Sequence, residues 1–185
     1  MVVVASVAIA HAAESLRVTP TVRDDKVLVT FELADAYTES VRDDKVLVTF
    51  ELADAYTDLV HDAIASGLRT TFTYELELRT IVPAWVDRTV ATTSVSATDH
   101  YDNLTRKHTL TRSVDGRVEE LSLTDDEAVV KAWLTTWSRL PLCDTSKLDP
   151  TRDYYVRVTA RTRSFASLLG WGKSITAQVK FAFVP

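Results

Sequence analysis

The chain has 185 residues, 46% of them hydrophobic and 25% charged, with four glycines and five prolines. That length and balance suit one globular domain with a packed core and exclude a disordered or collagen-like chain. A formal charge of −5 argues against broad nucleic-acid binding, and the single cysteine, Cys143, excludes an internal disulfide and a thiolate zinc cluster.

Residues 1–13, MVVVASVAIAHAA, form an apolar run ending in small residues, and Ala10-His11-Ala12 fits a signal-peptidase site. The expectation is an exported protein, periplasmic or secreted, with a single β-rich domain over residues 14–185. The run is too short to anchor, because a bilayer needs about 20 apolar residues. It has no Lys or Arg before Arg17, so the expected start of the gene product lies upstream of Met1. The bland alternative is a buried first strand over Val2–Val4.

Residues 22–38 read VRDDKVLVTFELADAYT, and residues 41–57 repeat them letter for letter. A solenoid needs three or more diverged copies, so this pair reads as a recent duplication, an insertion or an assembly error that adds one strand. Each copy alternates apolar residues, Val27, Val29, Phe31 and Leu33 in the first and Val46, Val48, Phe50 and Leu52 in the second. Two equal strands then compete for one place in the sheet. The second is expected to win it, because only there does Thr57 open a helix with Leu59, Val60, Ala63 and Ile64 on one face and closed by Gly67. The first copy should form an extra hairpin arm or displace the strand over residues 14–20. Strand exchange and a swapped dimer are the corresponding partner expectation.

Residues 68–80 alternate cleanly, with Phe72, Tyr74, Leu76 and Leu78 opposite Thr73, Glu75, Glu77 and Arg79. Residues 86–98 read as the next strand. Residues 104–114 and 117–123 flank Asp115-Gly116, which predicts a type I′ hairpin. Thr124-Asp125-Asp126-Glu127 predicts a capping box. The helix after it should carry Val129, Trp133 and Trp137 in one row, beside Ala128, Ala132 and Leu140, until Pro141 stops it. Residues 154–162 and 174–184 complete the set. The predicted fold class is α+β, mainly antiparallel β-sheet with two helices packed on one face.

Nucleophile elbows, zinc-helix motifs, phosphate loops and dinucleotide glycine fingerprints are all missing from the sequence. The expectation is therefore no enzyme, no cofactor and no metal. His100 and His108 could meet across neighbouring strands and hold a metal with Asp99 or Asp102, but surface polarity explains them as well. Asp125, Asp126 and Glu127 suit a helix N-terminus better than a metal site. Arg157, Arg161 and Arg163 share a strand face and could clamp an anionic partner, unless Glu75 and Glu77 balance them. Trp171, in the loop Leu168-Leu169-Gly170-Trp171-Gly172, offers an apolar contact, and Trp133 with Trp137 offers the wall of a ligand pocket. Asn103-Leu104-Thr105 fits a glycosylation acceptor, with meaning only in a eukaryotic secretory pathway.

Several stretches carry a resemblance. Residues 63–68 (AIASGL) leading into 72–78 (FTYELEL), Trp85-Val86-Asp87, residues 101–107 (YDNLTRK), Ala132-Trp133-Leu134 and residues 154–158 (YYVRV) together resemble the bacterial family called domain of unknown function 4390. The resemblance runs over roughly residues 41–163 and does not extend to the Gly170-Trp171-Gly172 turn. It implies a small exported β-rich protein of bacteria and assigns no catalytic residues. The preferred reading is a non-enzymatic binding domain contacting a protein or envelope component through an exposed sheet face or edge. Its rivals are a carrier of a small apolar ligand between sheet and helix and, last, a hydrolase using His100 or His108.

Overall fold

The computed structural model describes residues 16–17, 19–23, 26–30, 45–52, 55–163 and 174–182. The signal-like segment, residues 24–25 and Trp171 lie outside the described residues. Among the described residues, eleven strands form two sheets, accompanied by two α-helices and one 3-10 turn. The α+β expectation, mainly antiparallel, holds.

The larger sheet runs in the order β11 (Ser174–Ala182), β10 (Asp153–Arg163), β5 (Thr70–Thr80), β6 (Arg88–Asp102), β7 (Lys107–Val114) and β8 (Arg117–Thr124). All its pairings are antiparallel. Strict alternation in β5 drives Phe72, Tyr74, Leu76 and Leu78 into the interior and leaves Glu75 and Glu77 on the outer face. Asp115 and Gly116 both take positive φ, 48° and 81°, as a type I′ turn requires.

The smaller sheet centres on β4 (Lys45–Leu52), the second copy of the repeat. One side of β4 pairs antiparallel with β9 (Thr136–Asp144). The other side is shared by β1 (Leu16–Arg17), antiparallel, and β3 (Lys26–Thr30), parallel. Beyond β3 lies β2 (Thr19–Arg23). The first copy therefore forms a hairpin arm with β2. The two copies also lie side by side in exact repeat register, Leu28 beside Leu47 and Val29 beside Val48.

Helices α1 (Asp58–Ala65) and α2 (Glu127–Thr135) pack with β4 and β9 over the inner face of the larger sheet. One apolar cluster joins Val46, Val48 and Phe50 to Ile64, Tyr74, Leu134, Trp137 and Val158. Phe50 and Tyr74 meet at 4.9 Å between ring centroids.

Four expectations need correction. The α2 N-cap is Asp126, whose carboxylate accepts from Ala128 N at 2.8 Å, while Thr124 Oγ1 accepts from Asp126 N. The Thr124–Glu127 capping box does not form, because the helix starts three residues after Thr124. Thr57 does stand at the N-cap of α1, but without a side-chain capping bond, and Leu59 is 77% exposed there while Val60, Ala63 and Ile64 are buried, because Leu59 falls off the inward stripe of the helix. The second helix stops at Thr135 instead of running to Pro141, and Trp137 and Leu140 belong to β9. The β-branched run Thr135-Thr136 followed by Trp137 favours extended backbone, and pairing with β4 fixes it there. Lastly, residues 103–106 form the tight β6–β7 turn, so Leu104 is 95% exposed and outside any strand.

Candidate interaction surfaces

Strand β8 closes the larger sheet and, among the described residues, has no strand on its outer edge. Its sequence does not alternate in a simple way. Arg112 pairs with Glu120 and Ser113 with Val118, so Glu119 is an extra residue, a β-bulge. The bulge turns Val118 onto the same outer face as Leu121 and Leu123, which oppose Thr111 and Thr109. The three apolar side chains are 65%, 67% and 66% exposed. An edge strand with free backbone groups and an apolar row is a template for another strand, and proteins usually blunt such edges. The acidic residues Glu119 and Glu120 on β8, with Asp125 and Asp126 after it, are exposed and make this edge locally negative.

The arginine stripe has a different character. Arg157 Nη1 lies 3.5 Å from Glu77 Oε2, and Arg161 Nη2 lies 3.8 Å from Glu75 Oε2. The Arg157 guanidinium also lies over the Tyr155 ring at 5.6 Å. Tyr155 donates its hydroxyl to Asp87 Oδ2 at 2.9 Å. The expected clamp is thus a mixed-charge face whose arginines already have carboxylate neighbours. A shallow depression of about 440 Å³ lies there, lined by Glu75, Glu77, Arg157 and Arg161. The side chain of Arg163 and the whole of Trp171 lie outside the described residues.

Trp133 and Trp137 come together from a helix and a strand, not along one helix row. Between them sits Arg112 of β7, its guanidinium carbon 4.4 Å from the Trp133 ring and 4.6 Å from the Trp137 ring. Arg112 Nη2 donates to Trp133 O at 3.0 Å and to Thr136 O at 2.6 Å, while Nη1 stands 3.7 Å from Glu120. The carbonyls left over at the end of α2 are therefore capped by a charged fork. Burial pulls the Arg112 guanidinium below its ordinary value, with Glu120 opposing that shift. Sequence reasoning missed Arg112, because nothing in its local pattern announces a partner on α2. The two depressions that stand out among the described residues, this outer-face one and another of about 380 Å³ beside Arg88, Lys147 and Arg152, do not touch the tryptophans.

The histidines do not meet. His108 faces the interior and bonds Asp99 Oδ2 through Nδ1 at 2.9 Å, while His100 stands exposed on the opposite face of β6. Asp99 is fully buried, and burial raises its carboxyl, opposed by the His108 hydrogen bond and charge. Tyr101 stacks against His108 at 4.6 Å. No serine is bonded to this pair among the described residues, and no group of three or more His, Cys, Asp or Glu side chains there is arranged to hold a metal. Cys143, half-buried in β9, has its thiol pushed up by burial.

A family model described as Domain of unknown function (DUF4390) matches residues 19–166. The chain belongs to this family. The match spans both copies of the repeat as well as the stretches quoted above for the resemblance. No curated protein and no solved structure matches the chain. The family's description names no activity, and among the described residues no helix is long and apolar enough to cross a membrane.

Proposed function

We propose that the protein is an exported, non-enzymatic binding domain that takes an extended segment of another protein along the free edge of β8. What carries the reading is the bulged edge strand, with no outer neighbour among the described residues and with Val118, Leu121 and Leu123 all solvent-exposed on one face. The partner strand supplies backbone hydrogen bonds to β8 and apolar side chains at alternate positions to cover that row. Its charged residues are basic, to complement Glu119, Glu120, Asp125 and Asp126. Export rests on the apolar segment over residues 1–13 and its Ala10-His11-Ala12 site. The arginine face is a weaker contact because Glu75 and Glu77 already lie beside Arg161 and Arg157.

Selection of a displayed random peptide library on the full chain tests the reading. Enriched peptides should alternate apolar residues, carry Lys or Arg, and lose affinity at least tenfold for Leu121→Lys and Leu123→Lys. They should also slow amide exchange across residues 117–124. Binders indifferent to both substitutions would remove β8 as the site. Fractionation of expressing bacteria, with the mass of the mature chain, checks export.

A further inference from the structure

The pairings of the smaller sheet contain a coincidence of register. Strand β1 meets β4 with Leu16 opposite Leu52 and Arg17 opposite Glu51. Continued along the same antiparallel ladder, that register would set Thr19 opposite Thr49, Pro20 opposite Val48, Thr21 opposite Leu47, Val22 opposite Val46 and Arg23 opposite Lys45. In the structure, β2 instead pairs with β3: Thr19 with Thr30, Pro20 with Val29, Thr21 with Leu28, Val22 with Val27 and Arg23 with Lys26. Each present partner is the residue 19 positions before its alternative, and 19 is the offset of the repeat. Every pair is therefore identical in residue type in the two registers.

We propose that β2 has two equivalent berths, one on β3 and one on β4, and that the chain exchanges between them by slipping one whole repeat. In the slipped form β1 and β2 make one continuous ladder against Lys45–Leu52, and Lys26–Thr30 is released from the sheet. Little holds the β4 berth closed. Among the described residues, β4 is occupied on that side between Lys45 and Val48 only by the two parallel pairs to β3, at Leu47 and Val48, while β9 covers its opposite side in both forms. A register is usually specified by the pattern of side chains and by the turn. Here the pattern is the same by sequence identity, so the two forms differ in the two β3–β4 pairs that slipping gives up and in the length of chain between the paired strands, residues 24–25 in one form and 24–44 in the other. Closure entropy grows only slowly with loop length. Pro20, which has no N–H to give, sits on an edge strand in both forms.

Paired cysteines in a Cys143→Ser background read the register directly. Thr19→Cys with Thr30→Cys reports the hairpin form, and Thr19→Cys with Thr49→Cys reports the slipped form. Arg23→Cys with Lys45→Cys repeats the second measurement at exposed Lys45, in case loss of the Thr49 hydroxyl, which accepts from Arg139 N, disturbs β9. Both registers should form disulfides within a single chain, at rates at least tenfold above a Thr19→Cys, Thr92→Cys control. The unmodified chain should also give two sets of amide signals for residues 19–23, and a variant lacking residues 22–40 only one. The proposal falls if the Thr30 pair closes while both β4 pairs stay at the control rate or link only between chains. A single set of signals in the full chain is equally fatal to it.

Discussion

Arg112 shows how one side chain can tie three elements together. Its fork holds two carbonyls at the end of α2, its planar face lies between the indoles of α2 and β9, and its backbone belongs to β7. Lysine keeps the charge but cannot hold two carbonyls while lying flat between two rings. Arg112→Lys should therefore cost about 2 kcal/mol, the scale of hydrogen bonds to a charged group and of a partly desolvated cation–π contact. Urea unfolding measures the loss, and amide exchange should quicken first in the last turn of α2. Asp99 gives a pH signature. Its buried carboxyl holds its proton to higher pH in the fold than the ordinary 3.8 of the unfolded chain. The folded state thus binds more protons in that window, and its stability falls as pH rises from about 3.8 through the raised value. Asp99→Asn should flatten this fall between pH 3 and 7. The exposed Asp102 and Asp149, held low by their own hydrogen bonds, give the opposite slope and cancel in the comparison. Parallel pH profiles for the two proteins would show that folding leaves the acidity of Asp99 unchanged.

The elements differ in how plainly the sequence announces them. Strand β5 and the β7–β8 turn are legible because alternation and Asp-Gly chemistry act locally. At that turn Gly116 has φ 81° with open space where a Cβ would stand, so Gly116→Ala should cost only the backbone penalty, about 1 kcal/mol in thermal or urea unfolding. A much larger loss would mean that the hairpin is shaped by contacts beyond its own turn. Strand β9 is hidden for a physical reason. It carries two irregularities against β4, one where Ser138 and Arg139 oppose Thr49 and one at Leu142, and it includes Pro141. Those bulges break the two-residue period, and Pro141 reads as a helix stop, although proline is tolerated on an edge strand. The apolar row of β8 was hidden in the same way. Only the bulge at Glu119 brings Val118 onto the face of Leu121 and Leu123, and a bulge is a property of the pairing, not of the strand alone. The arginine stripe was legible as a stripe, and so was its balance by Glu75 and Glu77. The capping of α2 by Arg112 depends on contacts across about twenty residues of chain and leaves no local mark.

At the scale of the molecule, the extra strand β3 sits at the border of the described structure, not at its centre. Strand β4 carries Val46, Val48, Phe50 and Leu52 into the common core, and β9, α1 and the larger sheet are built around it. The first copy contributes β3, which lies between β4 and the hairpin partner β2 and reaches β4 through two ladder pairs. Removing residues 22–40 joins Thr21 to Val41 and restores one copy, with the Arg42-Asp43-Asp44-Lys45 segment and all of β4 intact. The shortened chain should keep the core, because β1, the remainder of β2 and that segment then form one hairpin with β4 in the register that β1 already uses. Its loop is also far shorter than the slipped form of the full chain requires, and each halving of a loop favours closure by about 0.6 kcal/mol. Equilibrium urea unfolding should therefore give a midpoint at least equal to that of the full chain, with a single cooperative transition. Size-exclusion chromatography should show less dimer, since a lone copy leaves no second strand to exchange. A shortened chain that unfolds earlier or loses its cooperative transition would mean that the first copy has become part of the core.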